Sequence, residues 1–370
     1  MPDGLRKQLT NMDDKLILAV NPGSTSTKFA LFRGEKLVFD KTLRHSTPEI
    51  EVYERIIDQM SFRHGLIMKA LSEEKTDFSG IVAVVGRGGL INPLESGIYE
   101  VNTLMKQHLT DAPNGEHASN LGALIADAIA KDLPGAKAYI VDPVVVDEME
   151  PVARLSGHPF IERRSIFHAL NQKAVARVYA ASVNRNYEDM NLVVAHMGGG
   201  ISVGAHRKGR VIDVNNALNG DGPYSPERSG GLPAGQLAEL CFSGKYDIQE
   251  VKSMITGKGG MVAYLGTNSF MEICAKAAGG DLVAEAVMKG SAYQVAKEIG
   301  AMVAVLKGDV DAIILTGGMA HQKVHVDMIT SMVKDFAPIS VYPGEDELKA
   351  LAFNGLLAVS GLITVKEYLG

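Results

Sequence analysis

The clearest pattern of apolar and polar positions lies in residues 16–33. An apolar run from Leu16 to Val20 enters a Pro22-Gly23 turn, and a Ser/Thr-rich alternating segment leaves it. That pattern predicts strand, tight turn, strand, with a tip of hydroxyls, one amide and one lysine. Thr25, Thr27, Phe29 and Leu31 favour extended backbone after the turn, and Lys28 does not fit the spacing of the glycine loop that opens a helix around a phosphate. A hairpin tip of this kind can offer backbone N–H groups, the Ser24 and Ser26 hydroxyls and Lys28 to a polyphosphate. Taken alone, the same segment also reads as an ordinary surface hairpin.

The hairpin pattern recurs. Leu192 to Gly204 repeats the apolar run, the glycine turn and the alternating exit. Without a gap, Leu16 aligns with Leu192, Ala19 with Ala195, Gly23 with Gly199 and Ser26 with Ser202. Arg33 to Val38 parallels Lys208 to Ile212 after a one-residue slip, which predicts a third strand in each copy. Each half then holds another buried strand that ends in glycines, Ile81 to Val85 before Gly86-Arg87-Gly88-Gly89 and Ala312 to Thr316 before Gly317-Gly318. A duplication sets the architecture. Two α/β units led by such hairpins are expected to face each other across a cleft, with a glycine tip on each side of a nucleotide.

Between and after the hairpins, strands alternate with helices. Apolar residues at helical spacing predict helices over Ile50 to Met60, Leu66 to Leu71, Ala118 to Ala130 and Ala169 to Val183. Further helices are expected over Pro233 to Phe242, Leu282 to Leu306 and Val324 to Phe336. Ala138 to Val146 reads as a strand interrupted at Asp142-Pro143, and Ile339 to Tyr342 as another strand. Glu345 to Ile363 closes the chain as a largely apolar helix. The expected divisions are an N-terminal extension over 1–15, an N-terminal lobe over 16–160, a C-terminal lobe over 161–345, and a helix over 346–370 that returns toward the N-terminal lobe.

Composition narrows the function classes. The 370 residues can bury two cores. A net charge of −6 with no basic stripe argues against nucleic acid as partner. Cys241 and Cys274, the two cysteines, have no metal-ligand spacing, which argues against zinc and against a disulfide framework. The polar start from Met1 to Asp14 lacks the apolar core of a signal peptide, and no segment has transmembrane length, so a cytoplasmic location without a membrane partner is expected.

Candidate chemistry gathers at the glycine ends. His196 closes a strand just before Gly198-Gly199-Gly200; it suits a packed residue as well as a phosphoryl contact. His168, after Arg163-Arg164, has the same two readings. Asp142 ends a strand before proline, where open α/β sheets place ligands, although a turn-stabilising aspartate also fits. Residues 215–233 contain four glycines and three prolines, a composition poorly suited to helix or central strand. A long ordered loop of this kind is usually functional, and Arg228 at its middle suits a fork on a carboxylate or phosphoryl group.

Asn21-Pro22-Gly23-Ser24-Thr25-Ser26-Thr27-Lys28 resembles the Asn-x-Gly-Ser-x-Ser-x-Lys opening of the acetate kinase (acetokinase) family. Phe167-His168, His196-Met197-Gly198-Gly199-Gly200 and Arg228-Ser229-Gly230 resemble its later blocks, in order, from about Leu16 to Leu357. The Asn215 to Gly230 block, the chain length and Pro343-Gly344-Glu345-Asp346-Glu347-Leu348 look more like the butyrate kinases of that family. The resemblance implies a duplicated ribonuclease-H-like (actin-like ATPase) α/β fold, two lobes around a nucleotide cleft. It also implies the reaction butanoate + ATP ⇌ butanoyl phosphate + ADP with Mg²⁺, and a homo-oligomer, dimer or higher, is expected. Isobutyrate, propionate or acetate are the alternative acids.

Carried over residue by residue, Asn21 would lie near the metal and the phosphates, and Ser24, Ser26 and Lys28 on the first tip. Asp142 would orient the reacting groups, while His168 and Arg228 would stabilise the transferring phosphoryl. His196 and the tip Gly198, Gly199 and Gly200 would hold ATP phosphates, and Gly317, Gly318 and Met319 would pass under the adenosine. A carboxylate among Glu345, Asp346 and Glu347 would anchor Mg²⁺ through water, with Asp346 favoured by gapless comparison. Two departures stand out. The family arginine of His-Arg-Val-Val-His-Gly-Gly has only Arg87, directly before Gly88-Gly89, to take its catalytic part. Thr267-Asn268 continues with Ser269-Phe270-Met271 in place of an Asp-x-Arg. A sugar kinase of the same superfamily, which needs an aspartate base, and a non-catalytic ATP-binding module are the competing readings.

Overall fold

The computed structural model describes residues 14–74, 78 and 80–370. The expected N-terminal extension lies, up to residue 13, outside the described residues. The chain forms two compact units: residues up to Val146 together with Asp346–Gly370, and Asp147–Glu345. The first boundary thus falls before residue 160, and the last stretch of chain belongs to the first unit.

In the first unit the apolar runs become strands β1 (Leu16–Pro22), β2 (Ser26–Arg33), β3 (Lys36–Arg44), β4 (Ile81–Arg87), β5 (Ile98–Glu100) and β6 (Lys137–Val141). In the second they become β7 (Leu155–His158), β8 (Ile161–Glu162), β9 (Asn191–Met197), β10 (Ile201–Arg207), β11 (Arg210–Val214), β12 (Ala312–Gly317) and β13 (Ile339–Pro343). The last strand, β14 (Val365–Lys366), returns to the first sheet. Sheet order is β14-β5-β6-β4-β1-β2-β3 in the first unit and β11-β10-β9-β12-β13 in the second, with β7 and β8 a separate pair. In each unit two antiparallel hairpin links (β1-β2-β3 and β9-β10-β11) lead to two parallel neighbours (β4, β6 and β12, β13). The duplication is therefore one of topology, the ribonuclease-H order written twice.

The structure corrects the alignment of the two copies. Leu16, Leu18 and Val20 point into the core beneath the helices Met60–Glu73 and Asn120–Lys131. On β9 the residues that face the corresponding helices, Leu282–Val305 and Lys323–Val333, are Val193, Ala195 and Met197. Leu192 and Val194 instead pack toward the helix Ala169–Ser182. A one-residue slip exchanges the two faces of a strand, so pairing Leu16 with Leu192 and Ala19 with Ala195 puts core against the wrong face. The turns also differ: Pro22 pairs with Thr27, and Met197 with Ile201, one intervening residue fewer. The strand ends therefore correspond as Pro22 to Met197 and Asn21 to His196.

Most other elements follow the periodicity within a few residues. The helix expected from Leu66 begins already at Met60, the strand expected to run on to Val146 ends at Val141, and Ile50 to Met60 departs most, forming a short helix Thr47–Ile50 and a 3₁₀ turn Ile56–Gln59. Tertiary bonds override helical spacing there: the Glu116 carboxylate accepts from the Ile56 N–H (3.0 Å) and from Arg55 Nε (2.6 Å). The closing helix is Glu347–Val359, shorter than Glu345 to Ile363. It lies against the first sheet at Gly355, where a Cβ would come 2.5 Å from Val85 Cγ2 and 3.1 Å from Ile17 Cγ2. Each large side chain fully buried in these layers contributes about 1.5–3 kcal/mol. No helix among the described residues is long and apolar enough to cross a membrane.

Candidate active site

In the first unit the candidate residues share one edge of the sheet. Arg87 pairs with Val141, and Val20 with Gly86, so Asn21, Arg87 and Asp142 stand at adjacent carboxyl ends of the parallel strands β1, β4 and β6. That is the edge where open α/β sheets bind ligands. Asn21 Nδ2 donates to Glu347 Oε2 at 2.5 Å, and Arg87 Nη1 donates to the same oxygen at 3.1 Å and to Asn21 Oδ1 at 3.4 Å. Glu347 is buried at the start of the closing helix, whereas Asp346 is exposed, so the carboxylate that joins Asn21 is Glu347. Lys28 is exposed and lies directly across the hairpin from Asn21. Ser24 occupies the turn itself, and Ser26 opens β2.

Asp142 is buried in a left-handed conformation with φ 37°, a strained choice for a residue with a Cβ. Its carboxylate accepts from Ser96 Oγ at 2.7 Å and from the Gly97 N–H at 2.8 Å, while its own N–H donates to the Gly97 carbonyl. These bonds fix the side chain at the strand end. The proline that follows supports the turn.

In the second unit His196 is fully buried at the end of β9, with Nδ1 2.8 Å from Asn171 Oδ1 and Nε2 3.0 Å from Glu345 Oε1. The contact with Asn171 fixes the orientation of the ring and leaves Nε2 on the Glu345 side. His168 stacks on His196, ring centroids 3.8 Å apart and 11° from parallel, and its Nδ1 is 2.9 Å from Ser202 Oγ. Gln172 Nε2 donates to that same hydroxyl at 2.8 Å. The corresponding strand ends, Asn21 and His196, thus each face a glutamate from the 345–347 segment.

Arg228 reaches the second tip from the Gly/Pro loop. Its Nη1 donates to the Ala217 carbonyl at 2.7 Å, and the guanidinium lies so close to Gly200 that a Cβ there would come 2.8 Å from Cζ and closer still to Nη1. Ser225 Oγ donates to the Gly199 carbonyl at 2.6 Å and accepts from the Arg228 N–H at 3.2 Å, so loop and tip are tied together. Gly198 lies beside Glu345, and Gly199 beside Glu227, whose Oε1 a Cβ would meet at 3.3 Å. Gly317, at φ 89°, abuts the end of β9, 2.7 Å from Met197 C if it carried a Cβ. Gly318 opens a 3₁₀ turn in which Met319 is buried in the core.

The structure therefore assembles Asn21, Ser24, Ser26, Lys28, Arg87, Asp142 and Glu347 at one sheet edge, and His168, His196, Gly198–Gly200, Arg228, Glu345 and Gly317 at the other unit's equivalent edge. Sequence reasoning missed Ser96, Asn171, Gln172, Ser202 and Ser225, which orient those groups, and Glu227, which lies beside the second tip. Ser225 and Glu227 lie inside the loop already singled out by its glycines and prolines. The others carry no motif of their own.

The model of the acetokinase family matches residues 152–343. Butyrate kinase 2 and butyrate kinase 1 of Clostridium acetobutylicum are each 54% identical over 352 residues, 95% of this chain and 99% of theirs. The chain belongs to the acetokinase family. As a member it is a phosphotransferase with a carboxyl group as acceptor, a short-chain fatty acid kinase. The acetokinase fold is also met in solved structures. The acetate kinase of Porphyromonas gingivalis has a TM-score of 0.74 at 19% identity, over 92% of this chain and 99% of that one. A propionate kinase from Francisella tularensis has 0.69 at 20% identity, over 92% and 98%. These two likenesses concern the fold.

Proposed function

We propose that the chain catalyses butanoate + ATP ⇌ butanoyl phosphate + ADP by direct transfer of the γ-phosphoryl group to the carboxylate. The observation that carries the choice of acid is the 54% identity to butyrate kinases along 95% of the chain. A fatty-acid carboxylate is ionised at neutral pH, so its oxygen needs no general base. The enzyme's task is to hold two anions together and to stabilise charge on the equatorial oxygens.

In this reading Ser24, Ser26, Lys28 and the first turn's N–H groups hold phosphate oxygens, and the Gly198–Gly200 tip does the same in its own unit. Arg228 and His168 stabilise the phosphoryl group in flight, His196 orients His168 through their stack, and Asp142 and Arg87 orient the reacting groups. Gly317, Gly318 and Met319 form the floor for adenosine. Glu347 and Asn21 Oδ1 are hard oxygen donors at one strand end, a set that suits Mg²⁺, which takes one or two carboxylates and keeps its waters. When bound, that ion offsets the charge of the phosphate oxygens.

An apolar pocket separates acids that differ by one methylene by only about 1–3 kcal/mol. The discriminating experiment is a hydroxamate assay for acyl phosphate over straight and branched C2 to C5 acids with ATP and Mg²⁺. Butanoate should give the highest kcat/KM. Isobutyrate or propionate ahead of it would reassign the acid, and phosphorylation of polyols alone would replace the reading with a sugar kinase. The expected homo-oligomer is tested by the mass of the chain in solution.

A further inference from the structure

Arg63, on the helix Met60–Glu73, is only 1% exposed, and its guanidinium lies directly behind the first tip. Its Nη1 donates to the carbonyls of Gly23 (2.7 Å) and Ser26 (3.1 Å) and to Thr27 Oγ1 (3.2 Å). Its Nη2 donates to the Ser24 carbonyl at 3.0 Å, and Nη2 and Nε both donate to Gln59 Oε1, at 2.8 and 3.1 Å. All of these acceptors are neutral. A buried cation normally has a carboxylate partner, because taking a charge out of water is expensive. A cation buried behind a tip, held among the described residues by dipoles alone, leaves an electrostatic demand that an anion in front of the tip would meet.

The peptide geometry states which side that is. In a trans peptide the C=O of one residue and the N–H of the next point in opposite directions, and no described peptide bond is cis. With the Gly23 and Ser24 carbonyls drawn onto Arg63, the N–H groups of Ser24 and Thr25 point away from it. We infer that Arg63 is a positioning residue for phosphate binding: it pre-forms the first tip by gathering its carbonyls, and its charge favours a phosphate on the opposite side. The inference rests on the reading that this tip takes the phosphates of ATP. Arg63 touches no substrate in it.

The test uses the full chain, with calorimetric titration of ADP and of inorganic tripolyphosphate. Arg63→Met keeps the bulk and removes the charge and the donors. Loss of a set of charged hydrogen bonds should weaken both ligands by at least about tenfold, with KM for butanoate changed less than twofold. Arg63→Lys keeps the charge but cannot gather three carbonyls, and should fall between the two. A merely structural role would lower the melting temperature and leave the tripolyphosphate affinity of the folded protein unchanged; affinities within twofold of the wild type overturn the inference. If Arg63→Met does not fold, Arg63→Lys decides: tripolyphosphate binding at least about threefold weaker supports it, and equal binding refutes it. Polyphosphate binding needs no acyl acceptor. A wild type that phosphorylates no acid would thus defeat the proposed function while this titration still reads, and a functioning wild type with an indifferent Arg63 would defeat only this inference.

Discussion

Gly200→Ala places one methyl group against the residue on which the proposed chemistry depends most. A Cβ at that position would lie 2.8 Å from Arg228 Cζ, closer to Nη1, and 3.2 Å from the Ala217 carbonyl oxygen. Gly200 does not have a positive φ, so alanine is compatible with its backbone. What must move is the far end of a flexible side chain. The fold should survive at a cost of about 1.5–3 kcal/mol, the worth of the charged hydrogen bond from Arg228 to Ala217. Activity should not survive so well. If Arg228 stabilises the phosphoryl group in the transition state, displacing it should lower kcat by about 10²–10³, the cost of removing one preorganised donor. Arg228→Ala should show a similar loss, and the double variant should be no worse than either, because both changes remove the same interaction. The assay is steady-state kinetics with butanoate and ATP on protein whose folding has been verified by denaturant titration. A kcat for Gly200→Ala within threefold of the wild type would refute the reasoning. So would full additivity of the two changes, which would mean that Gly200 and Arg228 act independently.

Two further outcomes are expected. Glu347→Gln keeps the shape of a buried side chain that receives Asn21 and Arg87 but removes its charge; the Mg²⁺ concentration for half-maximal rate should rise at least about tenfold, and an unchanged requirement would remove Glu347 from the metal's surroundings. His325 is buried, and burial lowers its pKa from 6.5 to about 4. The folded chain keeps it neutral while the unfolded chain takes up a proton, so its contribution is complete above pH 6.5 and is lost as pH falls toward 4, by about 3 kcal/mol. His325→Leu should flatten that part of the unfolding free energy measured between pH 7 and 4, and an unchanged slope would count against it.

Much of this architecture was legible in the chain because the strands at both sheet centres are apolar on both faces and end in glycine or proline. Leu16 to Pro22 and Asn191 to Met197 announce themselves in that way, as does Ala312 to Gly317. The pairing of the two copies was not legible to within one residue. Strands buried on both faces lack the alternation that fixes phase, and only the helices packed against Leu18 and Val193 reveal which side is which. The same limit applied to the C-terminal carboxylates. Three acidic residues in a row carry no signal of which one turns inward, and the helix start buries Glu347 and exposes Asp346. Arg63 did leave a trace. It stands one turn before Ile67 and shares the apolar face with Ala70 and Leu71, so a charge falls where the pattern calls for a hydrophobe. Ser202 and Asn171 left none, because a single hydroxyl or amide at a strand or helix position looks like any other.

The central claim is that an oxygen of the carboxylate itself attacks the transferring phosphorus and becomes the bridging oxygen of an acyl phosphate, and isotope transfer tests it most directly. Butanoate carrying ¹⁸O in both carboxyl oxygens is incubated with the chain, ATP and Mg²⁺, and hydroxylamine is added to trap the acyl group. Hydroxylamine attacks the acyl carbon and releases phosphate together with the former bridging oxygen. The account predicts butanoyl hydroxamate and, by mass spectrometry, inorganic phosphate that carries one ¹⁸O for each hydroxamate formed. Hydroxamate accompanied by unlabelled phosphate, or phosphate released from ATP with no hydroxamate at all, would contradict it.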